Sequence, residues 1–190
     1  MATMVLKKVN SKLKFLYRKK TVLNKSLRRL LCNALIQPYF DYACLSWFPN
    51  LTKSLSSKIQ SAQNKCIRFC LNLDNQCHIG KKELLDINWL HISERIHQKT
   101  CVSAYKSFNG ICPSYMSKIF IPNKVVRNTR NSANNFEIPL RKTNSGQKAL
   151  SYFGPHQWNS LPTNIKMSKN TNAFKHKMKK AFLNNYQIID

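Results

Sequence analysis

Any fold available to this chain must carry 32 lysines and arginines with only seven aspartates and glutamates to set against them. The resulting formal charge, +25 over 190 residues, opposes compaction through self-repulsion. Every acid lies at or beyond Asp41, so the first forty residues are uniformly basic. Yet 43% of the residues are hydrophobic and 11% aromatic, which is enough to build a core. The chain therefore reads as a folded basic module and not as a solvated tail. The commonest offset to such charge is a polyanionic partner, and nucleic acid is the first candidate.

The length suits one domain, or one domain with an appendage. No apolar run approaches membrane-spanning length, so no integral membrane segment is expected. Lys7, Lys8, Lys12 and Lys14 interrupt the N-terminal apolar positions, which argues against a signal peptide. Seven cysteines with no secretion signal imply reduced thiols, and hence the nucleus or cytoplasm.

Helical periodicity dominates. Val5, Val9, Leu13 and Leu16 share one face of a first helix that ends near Lys20. Asn24 or Ser26 caps a second, with Leu27, Leu30, Leu31, Ala34 and Leu35 as its apolar stripe. Pro38 kinks or restarts it, and Tyr39, Tyr42, Ala43 and Trp47 continue the apolar surface. Thr52 caps a third helix carrying Leu55, Ile59, Ala62, Cys66 and Phe69. A turn or two of helix falls at 82–87. The stretch 91–108 reads as a fourth long helix, ended by Asn109-Gly110, and Pro113 opens a short one. After Pro122 the character changes. Residues 124–145 are rich in Asn, Arg and Thr. Phe136, Ile138 and Leu140 alternate as a strand would, with 149–153 as the partner strand, Gly154-Pro155 as a turn and Leu161-Pro162 as another. A last helix covers 172–183, with Phe174, Met178 and Phe182 on one face. The expectation is a mainly α fold, a helical bundle with a small β hairpin near 134–154. It divides into a helical region 1–122 and a basic C-terminal region 123–190.

The motifs exclude more chemistry than they suggest. Two-metal polymerase and nuclease sites need clustered carboxylates, and no two acids here are adjacent. Asp74, Glu83, Asp86 and Glu94 suit helix capping and pairing with nearby cations. No catalytic residue is assigned. Cys66, Cys70, Cys77 and His78 have a spacing that matches no common zinc module, and Cys66 and Cys70 sit one turn apart on an apolar stripe. No metal ligand and no cofactor is expected, and Gly80, Gly110, Gly146 and Gly154 are too isolated for a phosphate loop. The basic residues remain. Arg127, Arg130, Arg141 and Lys142 lie in the segment least suited to a core, and guanidinium groups match phosphate geometry. Lys12, Lys14, Arg28, Arg29, Lys179 and Lys180 extend the basic track along helix faces.

Seven stretches occur in a recognisable order: KLKFLYR (12–18), LIQPYFDYACLSW (35–47), KIQSAQNKCIRF (58–69), ELLDINWLHISERI (83–96), YKSFNGICPSYM (105–116), VVRNTRNS (125–132) and KALSYFGPHQWNSLP (148–162). A basic helix follows. In this order they resemble the region downstream of the palm in non-LTR, LINE- or jockey-like retrotransposon reverse transcriptases. The G-P-x-x-W-N-S-L-P run is the most specific piece. The resemblance implies the thumb and adjoining C-terminal part of an RNA-directed DNA polymerase, without the endonuclease and without the palm and its catalytic aspartates. Thumbs of that family are usually helical and grip the template–primer backbone, and a separate polymerase palm is then a possible contact.

The function expected is sequence-independent binding of RNA, DNA or an RNA–DNA hybrid through phosphates, with no catalysis by this chain alone. The rivals are a basic module that docks on an acidic protein or an anionic membrane through its terminal amphipathic helix, and a non-functional truncated remnant.

Overall fold

The computed structural model describes residues 1–123 and 134–187, the side chain of Gln187 excepted. The chain is mainly α, as expected. It divides into two compact units, Met1–Ser93 together with the end of the last helix, and Glu94–Asn184.

The first unit contains α1 (Ala2–Tyr17), α2 (Lys25–Leu35), α3 (Gln37–Asp41), α4 (Cys44–Trp47), α5 (Lys53–Leu71) and α6 (Lys81–Asp86). Helix α5 is its centre, with α1, α2 and α6 against it, and α3 touches both α1 and α2. The apolar face of α1 is buried as its spacing requires: Val5, Val9, Leu13 and Leu16. Asn24 caps α2 by accepting from Leu27 N–H at 2.9 Å, and Thr52 caps α5 by accepting from Leu55 N–H at 3.3 Å. The Glu83 carboxylate accepts Gly80 N–H at 2.7 Å and so closes the start of α6. Two asparagines supply left-handed stops: Asn72 after α5 at φ 61° and Asn88 after α6 at φ 57°. Pro38 restarts the helix, lying in the first turn of α3.

Two expectations for this unit change. The residues that carry the core through α3 and α4 are Ile36, Phe40, Cys44 and Trp47, while Tyr42 and Ala43 face solvent. Ala43 takes φ 47°, and that left-handed turn rotates α4 away from the register of α3. Helix α2 also departs from its expected orientation, with Cys32 its buried residue and Leu27 and Leu30 exposed.

The second unit holds most of α7 (Ile92–Phe108), then α8 (Ser114–Ser117), α9 (Asn144–Gln147), α10 (Leu150–Asn159), α11 (Thr163–Lys166) and most of α12 (Thr171–Gln187). Gly110 ends α7 at φ 66° in a Schellman arrangement, with Ile111 N–H to Lys106 O at 2.8 Å and Gly110 N–H to Ser107 O at 3.2 Å. The core gathers Tyr105, Phe120, Phe136, Trp158, Phe174 and Met178. Trp158 is fully enclosed, with Phe136 at 5.6 Å, Phe108 at 5.8 Å and Phe174 at 5.9 Å between ring centroids.

The expected hairpin does not form. Among the described residues Phe136 makes one isolated antiparallel bridge, to Pro122, flanked by Asn123 N–H to Asn135 O at 2.9 Å and Glu137 N–H to Ile121 O at 2.8 Å. The intended partner strand 149–153 is instead the start of α10, and Gly154-Pro155 lies inside that helix. Both residues disfavour a helix locally. Packing overrides them, because a Cβ on Gly154 would sit 2.8 Å from the Phe120 ring. Only a glycine lets that ring rest on the helix backbone.

Trp158 and Asn159 then fix the irregular chain before them. Trp158 Nε1–H donates to Asn134 O at 2.8 Å. The Asn159 amide accepts from Phe136 N–H and donates to Phe136 O, both at 2.9 Å. Trp158→Ala should cost about 3–5 kcal/mol through the cavity it leaves. Asn159→Leu should cost about 1–3 kcal/mol, since it strands two buried backbone groups. Denaturant unfolding of both variants measures this; an unchanged midpoint for Trp158→Ala would refute the assignment.

A histidine makes this unit acid-sensitive. The His97 ring packs edge-on against Phe182 at 5.4 Å, and its Nε2 is buried with no hydrogen-bond partner. Burial pulls its pKa below the usual range, opposed by the carbonyl of Gln157. The folded state therefore favours neutral His97, while the unfolded chain protonates near pH 6.5. Stability is intact above that pH and falls as the pH drops below it. Melting temperatures at pH 7.5 and 5.5 should differ less in His97→Phe than in the wild type.

Candidate nucleic-acid interface

Helical geometry sorts the cations of the first unit. Opposite the buried stripe of α1 lie Lys7, Lys14 and Arg18, at i, i+7 and i+11, all exposed. Lys12 is exposed on the flank of the same helix. Two neighbours lean on aromatic faces, Lys8 over Tyr39 and Lys20 over Tyr17, each 5.7 Å from the ring centroid. The α1 ridge is thus a row of cations on a rigid element, with no acid within the helix.

Arg28 and Arg29 are adjacent in sequence and opposite in use. Arg29 is exposed. Arg28 turns inward, where its Nε donates to Leu23 O at 2.8 Å, its Nη1 donates to Phe69 O at 3.3 Å, and its guanidinium lies 6.0 Å from the Phe69 ring centre. It ties α2 to the end of α5 with two of its five N–H donors. Lys25 pairs with Asp86 at 2.8 Å, both side chains about half exposed, so that ion pair adds little to stability.

In the second unit Arg141 and Lys142 are exposed just before α9, whose Gln147 side chain donates to Arg141 O at 3.3 Å. Lys180 is exposed on α12, and Lys179 beside it is half-buried and engaged within the protein. Arg127 and Arg130 lie outside the described residues. The apolar face of α12 is not available for docking, because Phe174 and Met178 are buried in the core.

Lys166 is a residue that no sequence pattern singles out. It is 7% exposed, and its ammonium donates to Asn135 Oδ1 at 2.9 Å and to Asn159 O at 3.1 Å, above the Trp158 ring. Burial lowers its pKa, with Cys101 opposing. It lines a polar cleft of about 300 Å³ with Asn134, Asn135, Asn159 and Thr163. Two of its three N–H bonds hold the fold, so its first role is structural. A basic residue at i+8 from Trp158 carries no signal that separates it from a surface lysine.

The cysteines resolve differently from a metal cluster. Cys66 and Cys70 are buried in α5, and the third thiol beside them is Cys32 of α2, hydrogen-bonded to Cys70. Burial pushes the Cys66 thiol up, and the hydrogen bond to Cys70 followed by burial does so for Cys32. Among the described residues no group of three or more His, Cys, Asp or Glu side chains is placed to hold a metal ion. No described helix is long and apolar enough to cross a membrane.

No protein-family model, no curated protein and no solved structure matches this chain.

The contrast within α2 is testable. Arg28→Ala should lower the melting temperature by several degrees, as it removes two backbone ties and a stacked cation. Arg29→Ala, Arg141→Ala and Lys142→Ala should each leave it nearly unchanged, within about 0.5 kcal/mol of stability. Thermal melts of the four variants check this.

Proposed function

We propose that this chain binds the phosphate backbone of RNA, DNA or their hybrid without reading sequence, as the thumb-like part of a non-LTR retrotransposon RNA-directed DNA polymerase that does no catalysis on its own. The observation that carries the reading is the excess of cations held on rigid helices. Lys12, Lys14, Arg29 and Lys180 face solvent from helices, Arg141 and Lys142 do so just before α9, and the seven acids of the chain cannot neutralise them. Fixed cations release condensed counterions from a nucleic acid without the ordering cost that a flexible tail meets. The order of the seven sequence stretches supplies the link to the polymerase, and the helical character of the chain agrees with it. Catalysis would have to come from a palm on another polypeptide segment, because the seven acids include no adjacent pair.

With roughly six to ten phosphate contacts, log affinity on duplex should fall against log salt with a slope of about −5 to −9. Replacing Arg141 and Lys142 by alanine should weaken all sequences alike and flatten the slope by about one for each lost contact. Fluorescence anisotropy at several salt concentrations, on unrelated duplexes, hybrids and single strands, measures both. A flat salt response, or tight preference for one sequence, would rule out backbone gripping. In the same preparations primer extension on an RNA template should be absent.

A further inference from the structure

Lys166 carries a full positive charge into the second unit, and its recorded partners there are all neutral. It is 7% exposed, and its ammonium commits two N–H bonds to Asn135 Oδ1 at 2.9 Å and Asn159 O at 3.1 Å. The Trp158 ring adds its π face, with the centroid 5.8 Å from the nitrogen. Its titratable neighbour among the described residues is the Cys101 thiol, which burial pushes up to about 12 and so keeps neutral. A buried cation held only by dipoles is costly, because burial is normally matched by an opposite charge as well as by hydrogen bonds. The two bonds also leave one N–H of the ammonium for a further acceptor.

Lys166 lies in the wall of the polar cleft of about 300 Å³. Three stretches of chain meet around that space: residues 134–135, the turn 159–162 that leaves α10, and α11. Among the described residues no carboxylate lines it. Donors do. Asn134 contributes a side-chain amide and Thr163 a hydroxyl. Asn135, its side-chain oxygen committed to Lys166, has an NH₂ to offer. We propose that this cleft binds a phosphate monoester, either the free phosphate at the end of a nucleic-acid strand or that of a mononucleotide. The unmatched ammonium selects an anion. The volume, at the small end of ligand cavities, admits a phosphate and the sugar joined to it but not a duplex. The shape of the donor set favours phosphate over a planar carboxylate, since three outward oxygens can meet donors from three stretches of chain at once. Lys166 is not among the exposed cations assigned to the nucleic-acid backbone. The site therefore stands on the cleft alone, and only the strand end as its source rests on the backbone-binding reading.

The test replaces chloride by inorganic phosphate at constant ionic strength, which holds general screening of the basic surface fixed, and follows the melting temperature of the full chain. The wild type should gain along a saturating curve. Lys166→Gln keeps a donor for Asn135 and Asn159 but no charge, and should lose the gain. Should that variant fold poorly, Thr163→Asp sets a carboxylate at an exposed position of the cleft wall and should lose the gain as well. Fluorescence anisotropy then compares single strands phosphorylated at the 5′ end, the 3′ end or neither, with adenosine monophosphate as competitor. A phosphorylated end should bind about fivefold tighter. Both variants should erase that difference and leave the salt slope of an unphosphorylated duplex unchanged. A phosphate-dependent gain with competition by the mononucleotide, but no end preference or a flat salt slope, would keep the site and assign it to free mononucleotides. No gain over chloride, or a gain that both variants retain, would overturn the proposal.

Discussion

The amide of Asn159 does for Phe136 what a neighbouring strand would do. It offers one acceptor and one donor to a single residue's N–H and C=O, both at 2.9 Å, from a helix end. Buried backbone polar groups must be paired, and an irregular segment has no ladder to pair them. Once they are paired, Phe136 can enter the ring nest around Trp158, the bridge to Pro122 follows, and Lys166 reaches Asn135 over the same tryptophan. The short run from Gly154 to Pro162 thus sets the conformation of chain some twenty residues earlier. Four of its residues have separate tasks. Gly154 admits the Phe120 ring, Trp158 fills the centre, Asn159 pairs the backbone, and Pro162 precedes α11 in extended conformation. The most specific run of the sequence is thus also a device for folding.

That run also shows where the sequence stops being legible. Helices announced themselves wherever a cap or stop residue and a 3.6-residue stripe agreed: Asn24, Thr52 and Gly110 stand at their expected places, and Val5 to Leu16 line one buried face. Gly154-Pro155 misled because glycine and proline report local preference, while a ring docked on the backbone is a tertiary fact. The alternation at Phe136, Ile138 and Leu140 misled in a related way. It marks extended chain, and extended chain needs hydrogen-bond partners that a side chain can supply as well as a strand. In α2 the apolar stripe lies where its spacing puts it, but Leu27 and Leu30 face solvent. Direction was decided by Arg28, Asn33 and Lys25, whose partners at Phe69, Trp89 and Asp86 lie 41, 56 and 61 residues away. Of the candidate interface, the exposure of Lys12, Lys14 and Arg29 followed from helix period. The inward turn of Arg28 did not, since one residue type serves stacking and phosphate alike.

Uniform charge constrains the architecture in a further way. With so few acids, cations cannot be neutralised in place, and the fold instead uses three other means. It spaces them along helices, rests Lys8 and Lys20 on aromatic faces, and hands backbone carbonyls to Arg28, Arg68 and Lys166. Carbonyl oxygens and ring faces are anions in miniature: each contributes partial negative charge without adding a carboxylate. A polyanion bound at the exposed set would meet little competition from within the protein.

The thiols carry a different consequence. Cys32, Cys66 and Cys70 are wholly enclosed in the first unit, and Cys101 in the second, its thiol raised to about 12 chiefly by burial. A buried, protonated thiol does not react with alkylating reagents until its surroundings part. Each unit therefore holds a chemical clock for its own opening. Mass-resolved alkylation would time the two apart, and a ligand that braces one unit would slow only the cysteines that unit encloses.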